Sequence, residues 1–163
     1  MRKGNPSAAV LAGGRLVASA VALSTPARVG KLIVASADPH RPPGRESAPT
    51  AAELLPTRDD YETMRDAYTA VAPDPARFAE SAAKTAACVH EVPARTADEL
   101  RSLRAPTLLI FGDRDFSPLP DVAELFAILP DAQLAVLPGT THVGVIRRPA
   151  ELLALITPFL DGR

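Results

Sequence analysis

The chain has 163 residues, 47% of them hydrophobic and 23% charged, which is typical of a folded globular domain with its own core. Its formal net charge of −1 at pH 7 gives no basic surface for nucleic acid or an anionic membrane, and we expect neither as a partner. The single cysteine, Cys88, excludes an internal disulfide and a cysteine-rich zinc site. No apolar run reaches the roughly 18 residues that a membrane-spanning helix needs.

The first residues have the outline of a secretory signal, since Arg2 and Lys3 precede a short apolar stretch. Arg15 interrupts that stretch and leaves only the seven residues 8–14, which is short for the apolar region of a signal peptide. We therefore expect a cytoplasmic protein.

The start of the chain predicts a strand, a helix and a second strand. Residues 8–12 are apolar, and the Ala- and Leu-rich residues 15–25 predict a helix that Pro26 stops. Residues 31–36 have the apolar composition of a strand buried on both faces. This order predicts a right-handed unit of two parallel strands joined by a helix.

Residues 37–104 interrupt this pattern and predict a helical insert. Their proline-rich beginning contains His40, which we expect to be exposed to solvent in a loop. Further on, Thr96 and the glutamate three residues later predict the capped start of a helix. The predicted division is a core of residues 1–36 and 105–163, with residues 37–104 inserted in it.

The last third of the chain predicts two more strands, each followed by a helix. Residues 107–111 are apolar and are closed by Gly112 and a cluster of charges, which is typical of a buried parallel strand. A helix then ends at Pro130, a strand spans residues 133–137, and a final helix starts at Pro149. The alternation predicts an α/β fold with a mostly parallel sheet of three to four strands flanked by helices.

Two polar residues follow neighbouring predicted strands. Asp115 comes after residues 107–111, and His142 lies in a glycine-containing loop after residues 133–137. Ligands of open α/β sheets bind beyond the carboxyl ends of the strands, so we expect the two side chains to meet. A carboxylate that orients a histidine is part of a hydrolytic triad. Asp113 is an alternative acid, and the alternative without catalysis is a loop aspartate that caps a helix beside a solvated histidine.

With these residues in view, the chain resembles the C-terminal part of an α/β-hydrolase. The resemblance runs from about Pro26 to Leu160 and rests on the order of four segments: PARVGKLIVAS, APTLLIFGDRD, LPGTTHV and RPAELLALITPFL. It implies that Asp115, in a G-x-x-D pattern, is the triad acid and that His142 is the general base. It also implies that residues 37–104 form a cap over the pocket of a small-molecule substrate. The candidate pocket residues are Phe116, Tyr61 and Met64. The alternative is that Phe116 belongs to the apolar core and that Tyr61 and Met64 pack the cap on the sheet.

The nucleophile position departs from the family pattern. The family places a serine in G-x-S-x-G at a sharp strand-to-helix turn. Counted back from Pro26, that position is Leu11 or Ala12, and two glycines follow it. The resemblance therefore implies that the glycines of the turn remain while the hydroxyl does not. The earlier strands of the family would precede residue 1, so we expect a truncated hydrolase.

Two functions follow from this departure. The first is ester- or acyl-type hydrolysis through the Asp–His pair, without a nucleophile at its usual place. The second is a catalytically inactive remnant that binds a partner, or self-associates through an exposed sheet edge. Neither function implies a cofactor, and Gly13-Gly14-Arg15 lacks the spacing of a phosphate-binding loop.

Overall fold

The structure is a computed structural model that describes residues 8–11, 15–36, 40, 57–91 and 95–162. The chain divides into two compact units. The first unit consists of Met1–Ala48 and Ala94–Arg163, and the second consists of Pro49–Pro93.

The first unit is built on a parallel sheet whose strands lie in chain order. The strands are β1 (Ala8–Leu11), β2 (Leu32–Ala35), β3 (Thr107–Arg114) and β4 (Ala132–Thr141). Every neighbouring pair is parallel, so the carboxyl ends of all four strands lie at one edge of the sheet. The predicted α/β fold with a parallel sheet is confirmed.

Seven α-helices occur within the described ranges. They are α1 (Arg15–Ser24), α2 (Arg58–Val71), α3 (Phe78–Glu91), α4 (Ala97–Arg101), α5 (Leu119–Ile128), α6 (His142–Ile146) and α7 (Pro149–Asp161). No helix in this part of the chain combines the length and apolar character needed to cross a membrane.

Local sequence signals account for several helix starts. The side chain of Thr96 accepts a hydrogen bond from the backbone N–H of Glu99 at 3.2 Å, and the carboxylate of Glu99 accepts one from the N–H of Thr96 at 2.7 Å. This reciprocal pair is the capping box predicted for α4. Pro149 occupies the first turn of α7, where its missing N–H costs no helical hydrogen bond.

The core follows from the alternation of side chains along β2 and β3. In each strand, successive residues point to opposite faces of the sheet, which separates the core into two clusters. One cluster contains Leu32, Val34, Leu109 and Phe111 with residues of α1, α4 and α5. The other contains Ile33, Ala35, Leu108 and Ile110 with residues of α6 and α7. Both faces of the sheet are therefore covered, as a parallel sheet requires.

His40 corrects one prediction, because its side chain is buried rather than exposed to solvent. His40 and Arg95 form a parallel backbone bridge, and His40 Nδ1 lies 3.1 Å from the carbonyl oxygen of Arg95. On its other side, Nε2 lies 3.5 Å from a carboxylate oxygen of Glu124. The proline-rich composition gave no sign that this point of the chain pairs with the segment that follows the second unit.

The second unit contains α2 and α3, which meet through aromatic side chains. The rings of Tyr61 and Tyr68 lie 5.3 and 5.5 Å from the ring of Phe78, centroid to centroid. The predicted insert of residues 37–104 includes this unit and also α4, which belongs to the first unit, and the predicted bounds of the insert stay a prediction. That the second unit acts as a cap stays a prediction.

Candidate active site

The end of β3 brings the first site residue to the carboxyl edge of the sheet. Gly112 and the charged residues after it were expected to close this strand, but β3 continues to Arg114. It continues because it remains paired with β4, as far as Arg114 and Thr141. Asp115 is the next residue after this extended strand, and its backbone N–H donates to the carbonyl oxygen of Gly112.

Gly112 is needed for this close pairing of β3 and β4. A Cβ atom at this position would lie 1.9 Å from the carbonyl oxygen of Thr140. No side chain fits at that distance, so only glycine lets the two backbones approach here.

His142 is the first residue of the short helix α6 rather than part of an open loop. Thr141, the last residue of β4, caps this helix, because its hydroxyl oxygen accepts a hydrogen bond from the N–H of Gly144 at 3.1 Å. Because β4 passes directly into α6, the backbone position of His142 is set by both elements. Sequence patterning missed α6 because the helix has only five residues.

The structure brings Asp115 and His142 together. His142 Nδ1 lies 3.0 Å from Oδ1 of Asp115. The carboxyl side chain is fully buried, whereas the imidazole is 19% exposed. Oδ1 also accepts a hydrogen bond from the backbone N–H of Ser117 at 3.3 Å, which orients the carboxylate. A proton on Nδ1 that is donated to Asp115 leaves Nε2 as the basic nitrogen of a neutral imidazole.

The second carboxylate oxygen of Asp115, Oδ2, is buried and has no hydrogen-bond partner among the described residues. A buried oxygen without a hydrogen-bond partner costs free energy, which the other contacts of the carboxyl group must offset. Within the described part of the chain, the hydrogen bonds of the carboxylate are both made by Oδ1, one with His142 and one with the N–H of Ser117.

Phe116 also contacts the histidine. Its ring stacks on the imidazole with a centroid separation of 3.8 Å and an interplanar angle of 30°. The stacked ring covers one face of the imidazole and limits its rotation. Phe116 was predicted to line a substrate pocket; its observed contact is with His142, and the pocket role stays a prediction.

Asp113, the alternative acid, contacts the backbone of β4. Its Oδ1 accepts a hydrogen bond from the N–H of Thr140 at 3.0 Å. Backbone N–H groups of Gly139 and Thr140 hold the pKa of Asp113 below its ordinary value, because they stabilise the charged carboxylate. The geometry therefore gives the two aspartates different partners, and Asp115 is the one in contact with His142.

The degenerate nucleophile position is only partly described. Leu11 ends β1 at the carboxyl edge of the sheet, and α1 begins at Arg15, so a strand and a helix flank this point as expected. Ala12 lies outside the described residues. Tyr61 and Met64 belong to the second unit, where each side chain is about two-fifths exposed, and their pocket role stays a prediction.

Ser36 is a feature that the sequence did not indicate. It follows β2 directly, and it is the one described residue other than glycine with a positive φ, at 50°. Its side chain is buried, and its hydroxyl has no hydrogen-bond partner among the described residues. Strained backbone of this kind clusters at active sites and ligand-binding segments.

Among the residues that the structure describes, no three His, Cys, Asp or Glu side chains are grouped to hold a metal ion.

Solved structures of hydrolases resemble this fold over nearly the whole chain. A meta-cleavage product hydrolase from Pseudomonas fluorescens matches 97% of the chain with a TM-score of 0.63 at 20% identity, and the match covers 65% of that protein. CarC, a serine hydrolase involved in carbazole degradation, matches 100% of the chain with a TM-score of 0.70 at 17% identity, over 66% of its own length.

An α/β-hydrolase from the sediment metagenome of the Mar Chica lagoon in Morocco matches 98% of the chain with a TM-score of 0.55 at 21% identity. The chain covers 63% of that protein, so it spans less than two thirds of these hydrolases. No protein-family model and no curated protein matches the chain. The parallel sheet, its strand order and these similarities together show that the chain has a partial α/β-hydrolase fold, as the resemblance in its sequence predicted.

Proposed function

We propose that this chain carries the acid and the general base of a site for ester- or acyl-type hydrolysis of a small molecule. The observation that carries this proposal is the 3.0 Å contact between His142 Nδ1 and the buried carboxylate of Asp115. Both residues follow adjacent parallel strands at the edge where α/β proteins bind ligands. Likeness in fold to serine hydrolases supports the same reaction class.

The chemistry that we assign to the pair follows from which nitrogen of His142 contacts Asp115. Asp115 holds the Nδ1 proton, so Nε2 is free to take a proton from an attacking hydroxyl group. As the imidazole becomes positively charged, the carboxylate 3.0 Å away stabilises it. Phe116 covers one face of the ring and leaves its edge for the reaction.

The site has no hydroxyl side chain at the expected position of the nucleophile. Neither Leu11 nor Ala12 carries a hydroxyl, so a water molecule activated by His142 is the nucleophile that we assign. General-base assistance by a positioned histidine contributes about 10²–10⁴-fold. A serine nucleophile contributes far more, since its loss costs about 10⁶-fold in a well-studied triad. We therefore expect slow hydrolysis, limited to activated esters.

Hydrolysis of p-nitrophenyl acetate tests the proposal. We expect the protein to exceed the buffer rate and His142→Ala to return the rate to background, because the general base is lost. His40→Ala is the matched control, since it removes an imidazole at a different place in the same unit. If wild type and His142→Ala hydrolyse the ester equally fast, the pair has no catalytic role.

A second candidate function is that of an inactive remnant that binds a partner or a second copy. It is favoured by β1, which pairs with β2 alone among the described strands and is therefore an edge strand of the described sheet. Unpaired strand edges pair with other chains unless they are covered. The absence of a hydroxyl at the expected nucleophile position favours the same function.

Size-exclusion chromatography with light scattering distinguishes this candidate. An associating remnant is expected to run as a dimer or larger, with a mass that rises with concentration. A monomer at all concentrations, with reversible and cooperative unfolding, argues against association through the β1 edge.

A further inference from the structure

We propose that Asp113 is a positioning residue for His142, because its carboxylate fixes the part of β4 from which the imidazole is presented to Asp115. This inference rests on the proposed role of His142. Asp113 would hold the backbone of β4, whereas Asp115 contacts the imidazole itself.

The pairing of β3 with β4 contains an irregularity opposite Asp113. Gly112 pairs with Leu137, but the next pair is Arg114 with Thr141. The single residue between the two pairs on β3 therefore faces three residues on β4, Pro138 to Thr140. Such a bulge takes the backbone N–H groups of β4 out of the regular ladder, so they need other acceptors.

Asp113 supplies an acceptor for this bulge. Its Oδ1 accepts from the N–H of Thr140 at 3.0 Å, and the N–H groups of Gly139 and Thr140 both stabilise its charged form. Gly139 has a φ of +61°, a left-handed conformation that glycine adopts readily. Hydrogen bonds to a charged acceptor are stronger than neutral ones, so Asp113 is suited to hold this segment.

Other contacts leave Thr140 little freedom. Its side chain is buried and donates a hydrogen bond to the carbonyl oxygen of Pro138 at 2.9 Å. Its own carbonyl oxygen lies so close to Gly112 that a side chain there would overlap with it. Asp113 on one side and Gly112 on the other thus fix the backbone of Thr140.

His142 lies two residues beyond this fixed point. Thr141 lies between them and caps α6, so no loop separates Thr140 from the helix that begins at His142. A displacement of Thr140 therefore moves the imidazole relative to Asp115 and Phe116, to which it is joined by a 3.0 Å hydrogen bond and a 3.8 Å ring contact. Among the described residues Asp115 Oδ2 has no hydrogen-bond partner, so Oδ1 alone joins the carboxylate to His142.

The imidazole itself provides a test that does not require hydrolysis. Nuclear magnetic resonance of ¹⁵N-labelled protein reads the tautomer of His142 and the slowly exchanging proton that Nδ1 donates to Asp115. In wild type we expect one tautomer with the proton on Nδ1. In Asp113→Ala we expect loss of this proton signal and a mixture of tautomers, and in Asp113→Asn, which keeps an acceptor oxygen, we expect the signal to return.

Two control variants separate positioning from general effects. Asp131→Ala removes an exposed carboxylate just before the opposite end of β4 and is expected to leave the His142 signal unchanged. Val122→Ala removes core volume from α5 and lowers stability, and the β4 residues of its cluster, Ala132 and Leu134, lie at the end of that strand away from the bulge. It should also keep the signal, because lower stability alone does not move the imidazole.

Two results overturn the proposal: an unchanged Nδ1 proton signal in Asp113→Ala, or the same loss of signal in Val122→Ala. If Asp113→Ala does not fold, Asp113→Ser takes its place with the same outcomes, because its hydroxyl is too short to reach Thr140 as the carboxylate does. The ester assay with His142→Ala is read separately. A chain without esterase activity that still loses the signal in Asp113→Ala supports the positioning role and contradicts only the proposed function.

Discussion

Leu11→Ser is expected to raise the hydrolysis of p-nitrophenyl acetate on the order of 10²-fold or more over wild type. Loss of the nucleophile costs about 10⁶-fold in a well-studied triad and loss of one oxyanion donor costs about 10²–10³-fold, so the expected gain lies below the full value of a complete serine site. Leu11 ends β1 at the same edge of the sheet as Asp115 and His142, and two glycines follow within three residues. The assay is the initial rate of p-nitrophenol release.

Two variants make this result specific. Leu11→Ala removes the same bulk without adding a hydroxyl, so it should stay at the wild-type rate. Leu11→Ser combined with His142→Ala should lose the gain, because the introduced hydroxyl then lacks its general base. A fluorophosphonate probe should label the protein only when the serine is present. Equal rates for Leu11→Ser and Leu11→Ala would show that position 11 is not the nucleophile position of this site.

Gly112→Ala is expected to lower the free energy of unfolding by about 3 kcal/mol, near the upper end for overpacking a close contact. The added Cβ would lie 1.9 Å from the carbonyl oxygen of Thr140 and 2.6 Å from its carbonyl carbon. Because both atoms are backbone, no side chain can rotate away, and β3 must separate from β4. Urea unfolding followed by circular dichroism measures the loss.

Gly139→Ala is the matched control for this substitution. Its Cβ would meet no atom within 4 Å, but its φ of +61° disfavours any residue with a side chain. That conformation costs roughly 1 kcal/mol for alanine. We therefore expect a clearly smaller loss than for Gly112→Ala. Losses of the same size for both variants would mean that β3 and β4 separate easily, and that Gly112 is not needed for their approach.

The sequence predicted the framework because its signals are local. Residues 107–111 and 31–36 are apolar runs of the length of buried strands, and they became the central strands β3 and β2. The capping pattern at Thr96 started a helix because a threonine and a glutamate three residues apart satisfy each other's backbone groups. The order of these elements was sufficient to predict the α/β fold.

The ends of the elements were harder to predict, since they depend on partners far away in the chain. The charged residues after Gly112 look like the end of a strand, yet β3 continues there because β4 pairs with it. His40 looks like a loop residue, yet it is buried because the chain returns beside it at Arg95. Neither contact leaves a trace in the local pattern, because each joins segments more than twenty residues apart.

The sequence by itself determined the alternation of strands and helices, the candidate residues Asp113, Asp115 and His142, and the absence of a hydroxyl at Leu11 and Ala12. These are properties of residue type and spacing, which do not depend on how the chain is packed. Only the tertiary structure decided which aspartate contacts the histidine, since Asp113 and Asp115 are two residues apart and chemically identical. The bulge of β4 directs one carboxylate to the backbone of Thr140 and leaves the other 3.0 Å from the imidazole.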